Sequence, residues 1–160
     1  MAGVSRPWHH LFGMPHYLGA DIGTTNVKVI LVDGRQRIIA QGSEPLSTLR
    51  RRTGWSEQHP RAWWSAFTKI CSALRQQAPQ PWRNIAAIGL TGQMHACLCL
   101  DERNRPLGPA ILWNDGRALS ECTALAASLP GLREIVGVAP MPSFTAPKLL
   151  WLARHQPECF

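Results

Sequence analysis

Apolar and polar residues alternate in the first third of the chain and then fall into a three-to-four-residue period, so strands are predicted before helices. Tyr17, Leu18 and Ala20 run into Asp21, and Val27, Val29, Ile30, Leu31 and Val32 run out to Asp33, two strands joined by Gly23-Thr24-Thr25-Asn26. Asp33-Gly34 signals a turn into a third strand, Arg37 to Gly42. Trp63, Phe67, Ile70 and Leu74 then make a helical stripe, with Pro60 suited to its first turn and Pro79 and Pro81 near its end. Ile85 to Thr91 is a near-continuous apolar run, the pattern of a buried central strand. Further strands are expected at Ala96 to Leu100 and Pro109 to Asp115, with a turn at Asp101 to Arg105. A helix follows over Ala118 to Leu129, with Leu119, Cys122, Leu125 and Leu129 on one side. The stretch from Gly137 to Pro147 reads as a loop, and Thr145 as the cap of a last helix carrying Leu149, Leu150 and Leu152. Strands and helices in this order belong to an α/β domain.

Composition adds a core to this outline. At 160 residues and 45% hydrophobic, the chain is long enough to bury one. No apolar run approaches the ~20 residues that span a bilayer, so no membrane partner is expected. Residues 1–16 hold no apolar stretch of signal-peptide type and are expected to be a disordered extension ahead of a domain over 17–160. The five cysteines include no C-x-x-C pair, which suits a reducing, cytoplasmic setting. Cys97 and Cys99 alternate with Leu98 and Leu100, as if sharing a strand face rather than a metal. The net charge of +7 is dispersed except for Arg50-Arg51-Arg52, which sits in a polar stretch. No basic and aromatic residues interleave as stacking platforms do, so no nucleic-acid partner is expected.

Three strand ends carry polar clusters, and ligands of open α/β sheets bind at the carboxyl ends of strands. Asp21 closes the first strand, followed by Gly23, Thr24 and Thr25 in the turn and Lys28 beyond it. Glycine permits close approach of an anion, and successive amides in such a turn form a nest. The carboxylate repels bare phosphate but holds a hydrated Mg²⁺, so the turn suits a metal-nucleotide. Taken alone, the same residues also describe an ordinary polar hairpin, and they form neither a G-x-x-x-x-G-K-[ST] loop nor a G-x-G-x-x-G fingerprint. Gln93, Met94 and His95 follow the fourth apolar run and are candidates for substrate contact, against a purely structural reading of His95. Asn114, Asp115 and Arg117 make the third cluster.

Together the blocks DIGTTNVKVILVD, WSEQHPRAWW, IGLTGQMHACLCLD, PAILWNDGR and FTAPKLLWLARHQPE resemble the N-terminal domain of the FGGY carbohydrate kinases, nearest the xylulokinase branch, from Tyr17 onward. The resemblance implies an actin-like, ribonuclease-H-like fold with a mixed sheet and flanking helices. It implies ATP-dependent phosphorylation of D-xylulose to D-xylulose 5-phosphate in carbohydrate metabolism, with ATP and Mg²⁺ as cofactors. By the same resemblance Asp21 acts through Mg²⁺ held via water, Gly23, Thr24 and Thr25 face the transferred phosphate, and Met94 and His95 bind the sugar. Gln93, Asn114, Asp115 and Arg117 line the same pocket. The alternatives are a family member acting on another ketose or polyol, or a sugar-binding remnant without catalysis. A homodimer is one assembly open to the full-length enzyme. The family's general base, an Asp, lies further along than any carboxylate here, so the chain is expected to be a fragment, a truncated product or one piece of a split enzyme, inactive by itself.

Overall fold

The computed structural model describes residues 14–159. Most of the expected extension, residues 1–13, lies outside the described residues, whereas His16 already belongs to a strand. The chain divides into two compact units, residues 14–46 with 63–92 and residues 47–62 with 93–159.

In the first unit, β1 (His16–Ile22), β2 (Asn26–Asp33) and β3 (Ile38–Pro45) form an antiparallel meander, and β5 (Ile85–Gly92) lies parallel to β1. The sheet order is β3-β2-β1-β5. Period-two alternation sends Leu18, Ala20, Val27, Val29, Leu31 and Ala40 to one face, where they close on Ala66, Ile70, Leu74 and Ala78. Ala66, Ile70 and Leu74 come from α1 (Pro60–Gln77), which begins at Pro60 as expected for a residue lacking an amide donor. A short helix not expected from the sequence, α2 (Pro79–Arg83), follows it. α1 meets the sheet closely at Gly42, where an added Cβ would lie 2.6 Å from Cγ2 of Ile70. Trp64 stands exposed beside the Phe67 ring, rim rather than core.

β5 corrects the sequence reading. It is the edge strand of this sheet, not a buried central one, with Ile88 57% and Leu90 73% exposed. The continuous apolar run matches a strand covered on both faces, but among the described residues only β1 pairs with it.

In the second unit, β4 (Glu57–Gln58) pairs with β6 (Ala110–Ile111). The strand expected at Ala96 to Leu100 is reduced to isolated bridges, Cys97 to Ile111 and Leu100 to Pro106, and the Pro109 to Asp115 strand to the two residues of β6. Three helices follow: α3 (Leu119–Ser128), α4 (Leu132–Val136), unpredicted, and α5 (Thr145–His155). The expected apolar side of α3 holds only at its middle: Cys122 is buried and Leu125 half-buried, but Leu119 and Leu129 are exposed and Glu121 is buried instead. Thr145 opens α5 rather than capping it; Phe144 holds the cap position without a side-chain bond. The core comprises Cys97, Ile111, Ala118, Trp151 and Leu152, with Trp55 and Cys99 against it. Burial pushes the Cys97 and Cys99 thiols up, which keeps them protonated.

Each unit also contains the same turn. Asp33-Gly34-Arg35-Gln36-Arg37 and Asp101-Glu102-Arg103-Asn104-Arg105 share the pattern D-x-R-x-R. In both, one carboxylate oxygen accepts from the amides of the two arginines and the other accepts from Nε of the second. Gln36 and Asn104, with φ of 64° and 57°, occupy the left-handed position.

Two outcomes follow for stability. Gly42→Ala drives a methyl into a β-branched side chain and should cost about 1–3 kcal/mol in urea unfolding; an unchanged midpoint would refute the close approach. The amide of Arg37, against burial and aided by its guanidinium, holds the Asp33 carboxyl below the ordinary aspartate value. A depressed folded-state value stabilises above the ordinary aspartate range, and that contribution disappears as pH falls through the folded value. The stability gap between wild type and Asp33→Ala should therefore narrow between pH 6 and pH 3, measured by urea unfolding at each pH. A gap that widens on acidification would overturn the assignment.

Candidate functional site

Asp21 stands one residue before the end of β1, on the sheet face opposite the α1 core. Register places it directly across from Lys28 on β2 and Thr91 on β5. These three side chains border a concavity of about 460 Å³ whose lining includes Gly19 and Gly89, positions without a side chain to fill it. Asp21 is exposed, and among the described residues it forms no ion pair within 4.0 Å. A carboxylate so placed can hold a hard cation through water, so the donor set fits Mg²⁺.

The turn beyond Asp21 is tighter than its residue types alone required. Gly23 donates its amide to the Asn26 carbonyl at 3.0 Å, so that amide closes the hairpin rather than joining an anion nest. The carbonyl of Thr25 accepts from the Leu46 amide at 2.8 Å, and Asn26 Nδ2 donates to Thr25 Oγ1 at 3.1 Å. A Cβ on residue 23 would sit 2.9 Å from the Asn26 carbonyl oxygen, so glycine is required by space here.

In the second unit, Gln93, Met94 and His95 follow the end of β5. Gln93 Nε2 donates to Gln58 Oε1 at 3.1 Å, and the fully buried Gln58 in turn donates to Thr48 Oγ1 at 3.3 Å. Met94 is 73% exposed and His95 is exposed. His95 adopts φ of 59°, its ring lies 5.0 Å from that of Phe144, and its carbonyl accepts from Lys148 Nζ at 2.7 Å. A thioether and an imidazole are thus presented on a segment whose neighbours are fixed, an arrangement suited to contacting a small polar molecule.

The third cluster divides. Asn114 is exposed, whereas Asp115 and Arg117 point inward and bind each other. Asp115 Oδ2 accepts from the Ser56 amide at 2.6 Å and from Arg117 Nη2 at 2.8 Å; Oδ1 accepts from the Arg117 amide and Nε. Nη2 also donates to Glu57 Oε1 at 2.8 Å. The guanidinium carbon lies 3.7 Å from the Trp55 ring centre and 5.0 Å from that of Trp151. Two carboxylates and two indoles thus enclose one cation. Trp55, Glu57, Gln58, Lys148 and Trp151 fall within the blocks that carry the family resemblance, but no individual role follows for them from the sequence. The one signal for them is that charged and amide residues occupy positions that the fold buries.

Among the described residues, no group of three His, Cys, Asp or Glu side chains is placed to hold a metal, and no helix is long and apolar enough to cross a membrane.

Comparison with known proteins identifies the family of the chain. Residues 16–160 match the model of the FGGY family of carbohydrate kinases, N-terminal domain. The xylulose kinase of Escherichia coli K12 is 47% identical over 144 residues, which are 90% of this chain and 29% of that enzyme. The chain therefore spans less than a third of the length of that relative. Among solved structures, a xyloylose kinase from Brucella ovis superposes with a TM-score of 0.86 at 43% identity, covering 91% of this chain and 30% of that one. A xylulose kinase from Rhodospirillum rubrum gives 0.85 at 30% identity with the same coverage.

Arg117→Ala leaves two buried carboxylates without their cation and should lower stability by about 3–5 kcal/mol. Urea unfolding followed by tryptophan emission measures this directly, since Trp55 and Trp151 flank the site. A loss below about 1 kcal/mol would show that the enclosed ion pair is not what holds the unit.

Proposed function

The chain belongs to the FGGY family of carbohydrate kinases, and we propose that it supplies the sugar-binding part of a kinase converting D-xylulose to D-xylulose 5-phosphate with ATP. The observation that carries this reading is the display of Met94 and His95 in solvent on a segment anchored from behind, in a chain so similar to xylulose kinases. Gln93 and Asn114 border the sugar, while Asp115 and Arg117 act from beneath by holding the segments that present them. A sugar rich in hydroxyls needs few contacts, but they must be fixed so that one hydroxyl is aimed at the phosphate.

The phosphate end falls to Asp21, Gly23, Thr24 and Thr25. Asp21 would hold Mg²⁺ through water, and the ion supplies neutralisation of phosphate charge. Thr24 and Thr25 offer hydroxyls beside the transferred group, and Gly23 keeps the turn narrow enough for it. Phosphoryl transfer rests on positioning and charge neutralisation more than on covalent chemistry, which matches a site made of one carboxylate and a turn. The general base is not assigned to any residue of this chain. Free thiols at all five cysteines suit a cytoplasmic protein.

Calorimetry of this chain with D-xylulose, D-ribulose, glycerol and gluconate tests the reading. D-Xylulose should bind most tightly, His95→Ala should weaken it about tenfold or more, and Asp21→Asn should leave it unchanged. Equal affinity for glycerol, or indifference to His95, would remove the sugar assignment.

A further inference from the structure

Lys148 is the one lysine the structure buries completely, at 0% exposure. It lies in the first turn of α5, beside the buried Pro147, on the face that carries Trp151 and Leu152 into the core. Helical periodicity calls for an apolar side chain there, and an unpaired ammonium in such a place is costly. Its hydrogen bonds to backbone carbonyls are two, to Ser143 at 2.9 Å and to His95 at 2.7 Å. One acceptor belongs to the residues just before its own helix. The other belongs to a residue 53 positions earlier, the same His95 whose backbone sits in the left-handed region. Phe144, between Ser143 and the helix, touches the His95 ring. One short segment thus grips His95 twice, by its carbonyl and by its imidazole.

We propose that Lys148 is a positioning residue for sugar recognition, its buried ammonium clamping the His95 carbonyl so that Met94 and His95 are held toward the substrate. The inference rests on the sugar-binding reading of His95 and extends it to a residue that touches no sugar. A histidine at positive φ is uncommon and keeps that conformation only where its surroundings over-determine it. A charged donor to the carbonyl does this more strongly than a neutral one. The carbonyl direction and the ring position of one residue are linked through its backbone, so fixing both leaves the imidazole little freedom. Burial pushes the Lys148 ammonium below the ordinary lysine value, while the negative charge of Asp115 pulls it back up and Arg117 pushes it down again.

The test uses the chain with Lys148→Met, which keeps length and apolar volume but removes the donors, and Lys148→Arg, which restores charge and donors. The imidazole proton resonance of His95, identified by its loss in His95→Ala, reports the clamp; calorimetry with D-xylulose reports recognition; near-ultraviolet circular dichroism reports folding. In Lys148→Met the His95 resonance should shift and broaden and the Kd for D-xylulose should rise about tenfold, with Lys148→Arg lying between it and wild type. Should Lys148→Met fail to fold, Lys148→Gln, which removes the charge and shortens the donor, decides: a His95 resonance and Kd identical to wild type overturn the clamp. A folded Lys148→Met with lower thermal stability but an unmoved His95 resonance also overturns it, since that is a merely structural role. If His95→Ala leaves the sugar affinity unchanged, the sugar-binding reading fails, and the His95 resonance still decides whether Lys148 holds that residue.

Discussion

A guanidinium taken out of water must find its compensation inside the protein, and the second unit is arranged around how Arg117 finds it. Its side chain is 2% exposed, ion-paired to Asp115 and Glu57 and stacked against Trp55. Ser56 and Glu57 come from a segment some sixty residues earlier than Asp115 and Arg117, so the bonds join distant parts of the chain. Such a group costs more to desolvate than a hydrophobic one of equal size, and its net contribution to stability is not guaranteed. What it adds is a tie between distant segments: both carboxylates meet one guanidinium, and a shift of either segment strands a buried charge. A recognition surface of exposed side chains gains from exactly this kind of rigid support beneath it. The β4–β6 pairing is only two residues per strand, too little to fix these segments alone.

The first unit was the more legible part of the chain because its energetics are dominated by a repeating pattern. Alternation over Tyr17 to Asp33 implied two strands, and the observed burial of Leu18, Ala20, Val27, Val29 and Leu31 on one face follows it residue for residue. The helix from Pro60 was equally plain from the spacing of Phe67, Ile70 and Leu74. β5 was misplaced for a physical reason. A continuous apolar run reports the surroundings a strand is suited to, but among the described residues both faces of β5 lie open, which leaves Ile88 and Leu90 in solvent. The second unit was less legible because bridges and short helices, rather than long ladders, hold it. The alternation of Cys97 and Cys99 with Leu98 and Leu100 implied a strand, yet only single bridges form there, at Cys97 and Leu100.

Of the candidate site, the residue types were legible and their roles less so. Polar clusters at strand ends marked Asp21, Gln93 to His95 and Asn114 to Arg117, and the structure shows each at or after such an end. Nothing in spacing separated Asn114, exposed, from Asp115, enclosed one residue later. That distinction depends on Ser56, Glu57 and Trp55, which only the folded chain brings alongside. The same limit applies to the Gly23 amide, which looked available for an anion and is taken by Asn26.

Where a local rule is broken, the cause is worth seeking, because a fold tolerates such breaks chiefly where something else depends on them. The last helix breaks one. Leu149 was expected in its apolar set and is exposed, while Lys148 next to it is buried. Leu152 is buried as expected, but in the first turn the buried position falls one residue earlier, and that puts a cation against the core. If the helix needed only to pack, Leu149 on the inner face and Lys148 in solvent would be the cheaper arrangement. The observed one is intelligible once the carbonyls of Ser143 and His95 are counted, since both accept from the Lys148 ammonium. A buried lysine is therefore not noise in the hydrophobic pattern of α5 but the point at which packing gives way to the demands of the loop that carries His95.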